Sequence, residues 1–423
     1  MKRYINPTSG KWEALSSRRI ASDVSVEQKV REIVERVRKG GDKEISAITK
    51  EIDGPCFDSF IVIEEEIEKA SNLVPDQLKR AINSAYSNIK TFHNAQKFNP
   101  LEVKCTEGVR CWQKSVAIDN IGLYIPGGSA PLFSTVLMLA IPAKIAGCSN
   151  IVMFTPCDKK GNVNSTVLYA AKLCGIDKVY KIGGAQAIAA MAYGTETIGK
   201  VDKIFGPGNR YVVKAKQMVS TDVAIDMPAG PSEVLVIADD KADPEFVAAD
   251  LLSQAEHGPD SQVMLVCFSE MFADKAMEAV SRQLMALPRE SIASEALDNS
   301  RTLVFNTMQS AIDFINVYAP EHLIIQTDEP WTVADQIKAA GSIFIGPYSP
   351  ESAGDYASGT NHTLPTSGWA RSYSGVNLDS FCRKITYQQI TKEGLKSLSE
   401  AIIPMAEGEG LAAHANAVKI RMK

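Results

Sequence analysis

The sequence of 423 residues lacks the features of an exported or membrane-spanning protein. Its amino-terminal segment has basic residues but no apolar core of signal-peptide length. The longest mainly apolar stretch, residues 130–146, is interrupted by Pro142 and Lys144 and is too short to cross a bilayer. The eight cysteines are scattered and include no C-x-x-C pair, which in a chain of this length argues against a disulfide framework. We therefore expect a cytoplasmic protein with reduced thiols.

The sequence also lacks a large excess of charge of either sign. It has 45 Lys and Arg against 50 Asp and Glu, a net charge of -5, and no block of like charges. This balance argues against a surface built for nucleic acid. Hydrophobic residues make up 45% of the chain, which argues against extensive disorder, and the length predicts two or more domains.

Short β-branched runs alternate with helical stretches from residue 121 onward, after two opening helices at residues 26–39 and 76–96. The alternation stops and restarts near Pro231, so we expect an α/β fold of two doubly wound domains with mainly parallel sheets. Residues 346–377 are rich in Gly, Ser and Pro and show little periodicity. A loop of that length inside a compact protein is more often functional than idle.

Two common nucleotide motifs, G-x-G-x-x-G and the phosphate loop, are absent. Three glycine turns follow predicted strands instead: Pro126-Gly127-Gly128, Gly183-Gly184-Ala185-Gln186 and Gly206-Pro207-Gly208-Asn209. Turns at the carboxyl ends of parallel strands bind ligands in open α/β sheets, where helix amides can hold anions. Ordinary turn chemistry explains each turn taken singly. Nucleotide binding and a purely structural role therefore both stay open at this point.

Two of the five histidines have neighbours that suit chemistry. Gln254 lies three residues before His257 at the end of a predicted helix, so the two side chains share one face and could bind one ion. Glutamine is an uncommon zinc ligand, and a solvent-facing helix end is the alternative. Glu321 and His322 are adjacent after Pro320, and a histidine with a pKa of about 6.5 can act as a base. The dipeptide is common, so a chance pairing is the alternative.

The other three histidines have weaker neighbours. His93 lies in an amphipathic helix and is expected to be a structural or surface residue. His362 follows Asp355 by seven residues in the long loop, and His414 lies near the carboxyl terminus; on pattern alone both are expected to be solvated. The candidate ligands are too far apart in the sequence to form a zinc signature by spacing.

Several longer motifs resemble those of the histidinol dehydrogenase family. They are YIPGG (124–128), FGPGN (205–209), DMPAGPSEV (226–234), LLSQAEHGPDSQ (251–262), APEHL (319–323) and SPESAGDYASGTNH (349–362). The motifs occur in the family's order, and the likeness runs from about residue 20 to the carboxyl terminus. Long motifs of this kind would not arise together by chance.

The resemblance implies a fold of two incomplete Rossmann-like domains with small terminal segments, in an intertwined homodimer. The implied first domain combines residues 19–124 and 232–376 and carries the zinc and substrate site. The implied second domain spans residues 125–231 and contacts NAD. Residues 1–18 would form an amino-terminal segment, and residues 377–423 a tail that contributes to the partner subunit's site.

The family oxidises L-histidinol to L-histidine through histidinaldehyde with two NAD molecules, as the last step of histidine biosynthesis. By resemblance, one zinc ion per subunit would be held by Gln254, His257, Asp355 and His414. The implied substrate contacts comprise these four residues together with Ser232, His322, His362 and Glu409. The implied NAD contacts are Tyr124, Gln186 and Asn209. His414 and Glu409 would reach across from the second subunit.

The resemblance and elementary chemistry together suggest roles for the adjacent pair. His322 would remove the proton from the alcohol, and Glu321 would activate water for attack on the aldehyde. Zinc would hold and orient the substrate. One alternative is a zinc and NAD dehydrogenase of another small hydroxy compound, such as a polyol sulfonate. A second is a two-lobed binding protein, which gives no reason for the adjacent Glu321 and His322.

Overall fold

The computed structural model describes residues 1–18, 24–52, 54, 59–127, 131–228 and 230–423. Gly128 of the first glycine turn and Ala229, two residues before Pro231, lie outside these ranges. Within the ranges, no helix combines the length and the apolar character that a membrane crossing needs.

The described ranges contain fourteen strands in three sheets. The strands are β1 (Lys2–Ile5), β2 (Leu101–Thr106), β3 (Val109–Ala117), β4 (Asn120–Tyr124), β5 (Asn150–Phe154), β6 (Lys178–Tyr180), β7 (Lys203–Phe205), β8 (Ala224–Ile225), β9 (Glu233–Ala238), β10 (Gln262–Cys267), β11 (Arg301–Val304), β12 (His322–Gln326), β13 (Ser342–Ile345) and β14 (Cys382–Ile390).

Two of the three sheets are parallel throughout. One has six strands in the order β1-β11-β10-β9-β12-β13, and the other has five in the order β6-β5-β4-β7-β8. The third sheet, β14-β3-β2, is antiparallel. The prediction of an α/β fold with mainly parallel sheets is therefore confirmed.

Sixteen α-helices accompany the sheets in the described ranges. They are α1 (Trp12–Ser16), α2 (Val24–Ile52), α3 (Glu64–Leu73), α4 (Asp76–Asn94), α5 (Phe133–Ala146), α6 (Ser165–Leu173), α7 (Gly184–Tyr193), α8 (Arg210–Val219), α9 (Pro244–Ala255), α10 (Glu270–Leu284), α11 (Glu290–Asp298), α12 (Met308–Tyr318), α13 (Pro330–Ala334), α14 (Glu351–Tyr356), α15 (Lys392–Gly408) and α16 (Ala412–Arg421).

Helices cover both faces of each parallel sheet. In β9, Val234 and Val236 pack with α9 and α10, whereas Leu235 and Ile237 pack with α12 on the opposite face. The five-stranded sheet has α4, α5 and α6 on one face and α2, α7 and α8 on the other. Strands covered on both faces are apolar at successive positions, which is why short apolar runs identified them in the sequence.

The packing of the amino-terminal third differs from the expected grouping of residues 19–124 with residues 232–376. Strand β4 pairs with β5 and β7, and helices α2 to α4 bury their apolar faces against the five-stranded sheet. The expected separate segment, residues 1–18, joins the six-stranded sheet, because β1 pairs with β11 and α1 packs on α12. Hydrogen bonds and apolar contacts therefore attach β4 and helices α2 to α4 to the five-stranded sheet, and residues 1–18 to the six-stranded sheet. The expected domain boundaries grouped these segments in another way.

The loop expected at residues 346–377 follows β13 of the six-stranded sheet and contacts helix α5, which packs on the five-stranded sheet. It contains the short helix α14, and its Asn361 side chain donates a 2.6 Å hydrogen bond to the Met138 carbonyl on α5. Asn361 also lies 3.5 Å from the Nε2 atom of His93. His93 is fully buried, with its Nδ1 atom 2.8 Å from the Ile89 carbonyl, so its expected structural role is confirmed.

Candidate active site

Glu321 and His322 lie where helix α12 gives way to strand β12. The helix ends at Tyr318, and Ala319 has a left-handed backbone (φ +52°) that redirects the chain. His322 is the first residue of β12, at the amino end of the six-stranded sheet. The two residues are only 5% and 3% exposed. Adjacent titratable side chains are rarely buried without a function, so burial favours the functional interpretation over a chance pairing.

The main chain of Glu233 holds both side chains of the pair. The Glu233 N–H donates a 2.8 Å hydrogen bond to Glu321 Oε2, and the Glu233 carbonyl lies 3.1 Å from His322 Nδ1. Because a carbonyl can only accept, His322 Nδ1 carries the hydrogen and donates it. In the neutral ring, Nε2 is then the atom with a free lone pair. No described residue hydrogen-bonds to that atom, and Asp355 Oδ1 is 3.6 Å from it.

A cluster of possible metal ligands surrounds His322. Ligand atoms of His257, Glu351 and Asp355 lie within 4.8 Å of one another. Gln254 is buried against Glu351 and donates a 3.1 Å hydrogen bond to Glu351 Oε2 when its amide nitrogen faces that carboxylate. In that orientation the amide oxygen no longer faces Glu351. A histidine and carboxylates are donors that suit zinc, and an amide oxygen is a less common one.

Charge in this cluster shifts the pKa values of its members. Burial alone lowers the pKa of the His322 ring, but the carboxylates of Glu351 and Glu321 outweigh it and raise this pKa well above its ordinary value. Burial raises the pKa of Glu321 and raises that of Glu351 to about 8. The protein therefore gathers buried acidic groups here. A divalent cation bound among them would offset the carboxylate charge that raises the His322 pKa, and the ring would then be neutral and able to accept a proton.

Glu351 was missed by the sequence interpretation although it is 1% exposed and central to the cluster. It begins helix α14, and Asp355 lies four residues later on the same face. This spacing of two carboxylates is the sequence feature that could have identified Glu351. It was not recognised because α14 has only six residues, one of them Gly354, inside a stretch without helical periodicity.

Two further candidate substrate contacts lie beside the cluster. His362 Nδ1 is 3.0 Å from the Asp355 carbonyl, and His362 Nε2 is 3.2 Å from Thr135 Oγ1 on α5. His362 is half-buried, which differs from the solvated position expected on pattern alone. Ser232 directly precedes β9 and is also half-buried, and its carbonyl accepts a 3.1 Å hydrogen bond from the Gln262 N–H.

His414 and Glu409 lie apart from the cluster. His414 is on α16, Glu409 follows α15, and both are exposed. Helices α15 and α16 pack chiefly against each other. One chain thus brings Gln254, His257 and Asp355 together with Glu321 and His322. It does not add His414 or Glu409 to that group.

The glycine turns follow strands of the five-stranded sheet. Tyr124 ends β4, and its hydroxyl accepts a 3.0 Å hydrogen bond from the Gly184 N–H at the start of α7. Gly206 directly follows β7 with φ +124°, and an added Cβ there would lie 2.1 Å from the Tyr124 carbonyl oxygen. Only glycine fits this close approach of two strand ends. The turn at Gly183-Gly184 and the turn that begins at Gly206 therefore follow strands, as expected.

The three candidate NAD contacts lie around these turns. Tyr124 and Gln186 are buried, 3% and 1% exposed. Asn209 is exposed and caps α8, where its side chain accepts hydrogen bonds from the N–H groups of Tyr211 (3.0 Å) and Val212 (3.2 Å). Helix α5 begins beyond the turn at Pro126 and contacts His362 through Thr135. The turns of the five-stranded sheet therefore adjoin the acidic cluster at the amino end of the six-stranded sheet.

Comparison with known proteins identifies the family. The model of the histidinol dehydrogenase family matches residues 16–422. The chain is 55% identical over 423 residues to the histidinol dehydrogenase of Bacteroides thetaiotaomicron, an alignment that covers 100% of this chain and 99% of that protein. The chain belongs to the histidinol dehydrogenase family. Its members are oxidoreductases that catalyse the last step of histidine biosynthesis.

Two other relatives agree with this membership. Histidinol dehydrogenase of Bacteroides fragilis (strain YCH46) is 56% identical, over 100% of this chain and 99% of that protein. The crystal structure of histidinol dehydrogenase from Elizabethkingia anophelis is 53% identical and superimposes with a TM-score of 0.97, covering 100% of this chain and 98% of that one. The resemblance stated from the motifs is confirmed, and the α/β fold is that of a histidinol dehydrogenase structure.

Proposed function

We propose that the cluster around His322 oxidises L-histidinol to L-histidine through histidinaldehyde, with two hydride transfers to NAD. The observation that carries this proposal is the hydrogen bond from His322 Nδ1 to the Glu233 carbonyl. It leaves Nε2 as the proton acceptor in a buried site, beside a carboxylate and next to candidate metal ligands. An alcohol oxidation needs a base at this position.

The metal in this proposal is one zinc ion per subunit. Gln254, His257 and Asp355 would hold it, with His414 of the partner subunit as fourth ligand. Zinc bound there would supply positive charge that holds the neutral imidazole and amine of the substrate. The buried acidic groups of the cluster support a cation at this place, because burial raises the pKa values of Glu321 and Glu351 and a bound cation would favour their ionised forms.

The chain's own residues move the protons. His322 Nε2 takes the alcohol proton as hydride leaves the carbon, a contribution of about 10²–10⁴ in rate. Glu321 then takes a proton from water, which attacks the aldehyde carbon. His322 returns its first proton to the former carbonyl oxygen, which completes the hydrate, and then acts as base a second time when the hydrate loses its hydride. The elevated pKa of the Glu321 carboxyl, which burial produces, makes this group a better base than an ordinary glutamate.

NAD in this proposal lies at the glycine turns, in contact with Tyr124, Gln186 and Asn209. When bound, it accepts the hydride. The amino ends of α7 and α8 follow two of these turns, and the positive end of a helix dipole favours an anionic ligand. Because α5 links this region to His362 through Thr135, a cofactor at the turns would adjoin the substrate cluster.

We further propose a homodimer in which Glu409 and His414 complete the partner subunit's site. Met405 on α15, Leu411 directly before α16 and Ile420 on α16 are 67%, 43% and 56% exposed. Large apolar side chains exposed together on two helices favour a protein contact. Ser232 and His362 would contact the substrate from the same chain. A cytoplasmic location fits a biosynthetic enzyme of this family.

The test is an assay of NADH formation with L-histidinol, using protein as purified, after chelation and after zinc is restored. We expect two NADH per histidinol, loss of turnover on chelation and its return with zinc. A polyol sulfonate, the substrate class of the alternative, should yield none. Formation of NADH from the polyol sulfonate but not from histidinol would favour the alternative substrate over L-histidinol. Full activity in the metal-free protein would show that zinc has no part in the reaction.

A further inference from the structure

A buried ion pair lies behind the catalytic pair and is not explained by the chemistry described so far. Arg18 Nε donates to Glu233 Oε1 at 3.0 Å, and Arg18 Nη2 donates to Glu233 Oε2 at 2.8 Å. The two side chains are only 10% and 1% exposed. Two parallel hydrogen bonds from a guanidinium fix a carboxylate in orientation as well as in place.

Arg18 also contacts the turn that leads to the catalytic pair. Its Nη2 donates a 2.7 Å hydrogen bond to the Tyr318 carbonyl, and its guanidinium carbon lies 3.8 Å from the centre of the Tyr318 ring. Tyr318 is the last residue of α12, three positions before Glu321. The guanidinium therefore joins the end of α12 to the start of β9.

Glu233 is in turn the residue whose peptide groups orient both catalytic side chains. Its N–H holds the Glu321 carboxylate at 2.8 Å, and its carbonyl holds the His322 ring at 3.1 Å. The Glu233 side chain points to Arg18 and accepts a 2.7 Å hydrogen bond from the Ser367 N–H. A shift of Glu233 would thus move the base and the water-activating group together.

We propose that Arg18 and Glu233 form a positioning pair that holds the Glu321 carboxylate and the His322 ring in their working orientations. The inference rests on the proposed roles of Glu321 and His322 and adds two residues that act through them. Without Arg18, the Glu233 carboxylate is buried without its cation, and the end of α12 loses its link to β9. Misplacement of a catalytic group by about 1 Å can cost about 10²-fold in rate.

The experiment compares Arg18→Ala and Arg18→Lys with the parent enzyme, loaded with zinc and assayed with L-histidinol and with histidinaldehyde. We expect Arg18→Ala to lower kcat for both substrates by about 10- to 100-fold with KM changed less than about threefold, because positioning and not binding is lost. Arg18→Lys keeps the charge but not the two parallel hydrogen bonds, so its kcat should be intermediate. Added guanidinium should restore part of the activity of Arg18→Ala only.

Arg36→Ala is the matched control. Arg36 pairs with Glu44 and Glu51 on helix α2, away from the site, and its loss should leave kcat unchanged. A kcat of Arg18→Ala within twofold of the parent would overturn the proposal, as would a loss that guanidinium does not restore. If Arg18→Ala does not fold, Arg18→Lys decides, and an unchanged kcat there would also overturn it. The parent enzyme distinguishes failure of the proposed function from failure of the positioning pair. If the parent forms no NADH from histidinol, the proposed function itself is wrong.

Discussion

Glu321→Gln is expected to leave alcohol oxidation near the parental rate and to slow aldehyde oxidation by about 10²–10⁴-fold. Glutamine has the size of glutamate, and its amide oxygen can still accept the hydrogen bond that the Glu233 N–H donates to Glu321. His322 should therefore stay in place and still remove the alcohol proton. An amide cannot take a proton from water, so the attack on the aldehyde loses its base.

The two steps can be measured separately. A single turnover with L-histidinol should give a first NADH at the parental rate and a second one far more slowly, and histidinaldehyde supplied directly should show only the slow step. Glu196→Gln is a matched control, because the exposed Glu196 carboxylate also accepts a backbone N–H, from Asp42 at 2.8 Å. Equal loss of both steps in Glu321→Gln would reject the assignment of water activation to Glu321.

His322→Asn is expected to slow both oxidation steps, each by about 10²–10⁴-fold. The asparagine amide can take the place of Nδ1 and donate to the Glu233 carbonyl, which lies 3.1 Å from the ring in the parent. The substitution therefore removes Nε2, the proton acceptor, with little disturbance of its support. Because His322 is outside the proposed ligand set, zinc content should stay at the parental value.

The measurements are the two single-step rates together with the metal content of the purified variant. His93→Asn is the matched control: His93 is also buried and its Nδ1 lies 2.8 Å from a backbone carbonyl, that of Ile89. That variant should lose stability and keep its turnover. A variant at His322 that slows only one step, or that no longer binds zinc, would contradict a single base shared by both steps.

The alternation of strands and helices was predictable because it depends on local sequence. Strands such as β9 and β10 are buried at every position, and helix α4 has one apolar face. Strand β2 was not predicted, because all six of its residues are exposed and its pairing with β3 leaves no apolar pattern. The attachment of β4 to the five-stranded sheet depends on long-range pairing, which periodicity does not encode.

The candidate site was predictable where a residue type carries the chemistry. Glu321, His322, Gln254 and His257 are recognisable by type and spacing, and the family motifs add Asp355. Glu233 and Arg18 were not recognised, because the Glu233 contacts to the pair come from its peptide groups, which every residue has. The pairing of Arg18 with Glu233 joins positions 215 residues apart.

The central claim is that separate parts of the chain meet around one divalent ion next to a proton-accepting histidine. Diffraction data collected on both sides of the zinc absorption edge, from crystals of zinc-loaded protein, test it directly. We predict one anomalous peak per chain, about 2.0–2.2 Å from atoms of Gln254, His257 and Asp355, with His414 of the partner subunit as the fourth ligand. A peak elsewhere, or these side chains without a common ion even across subunits, would contradict the account.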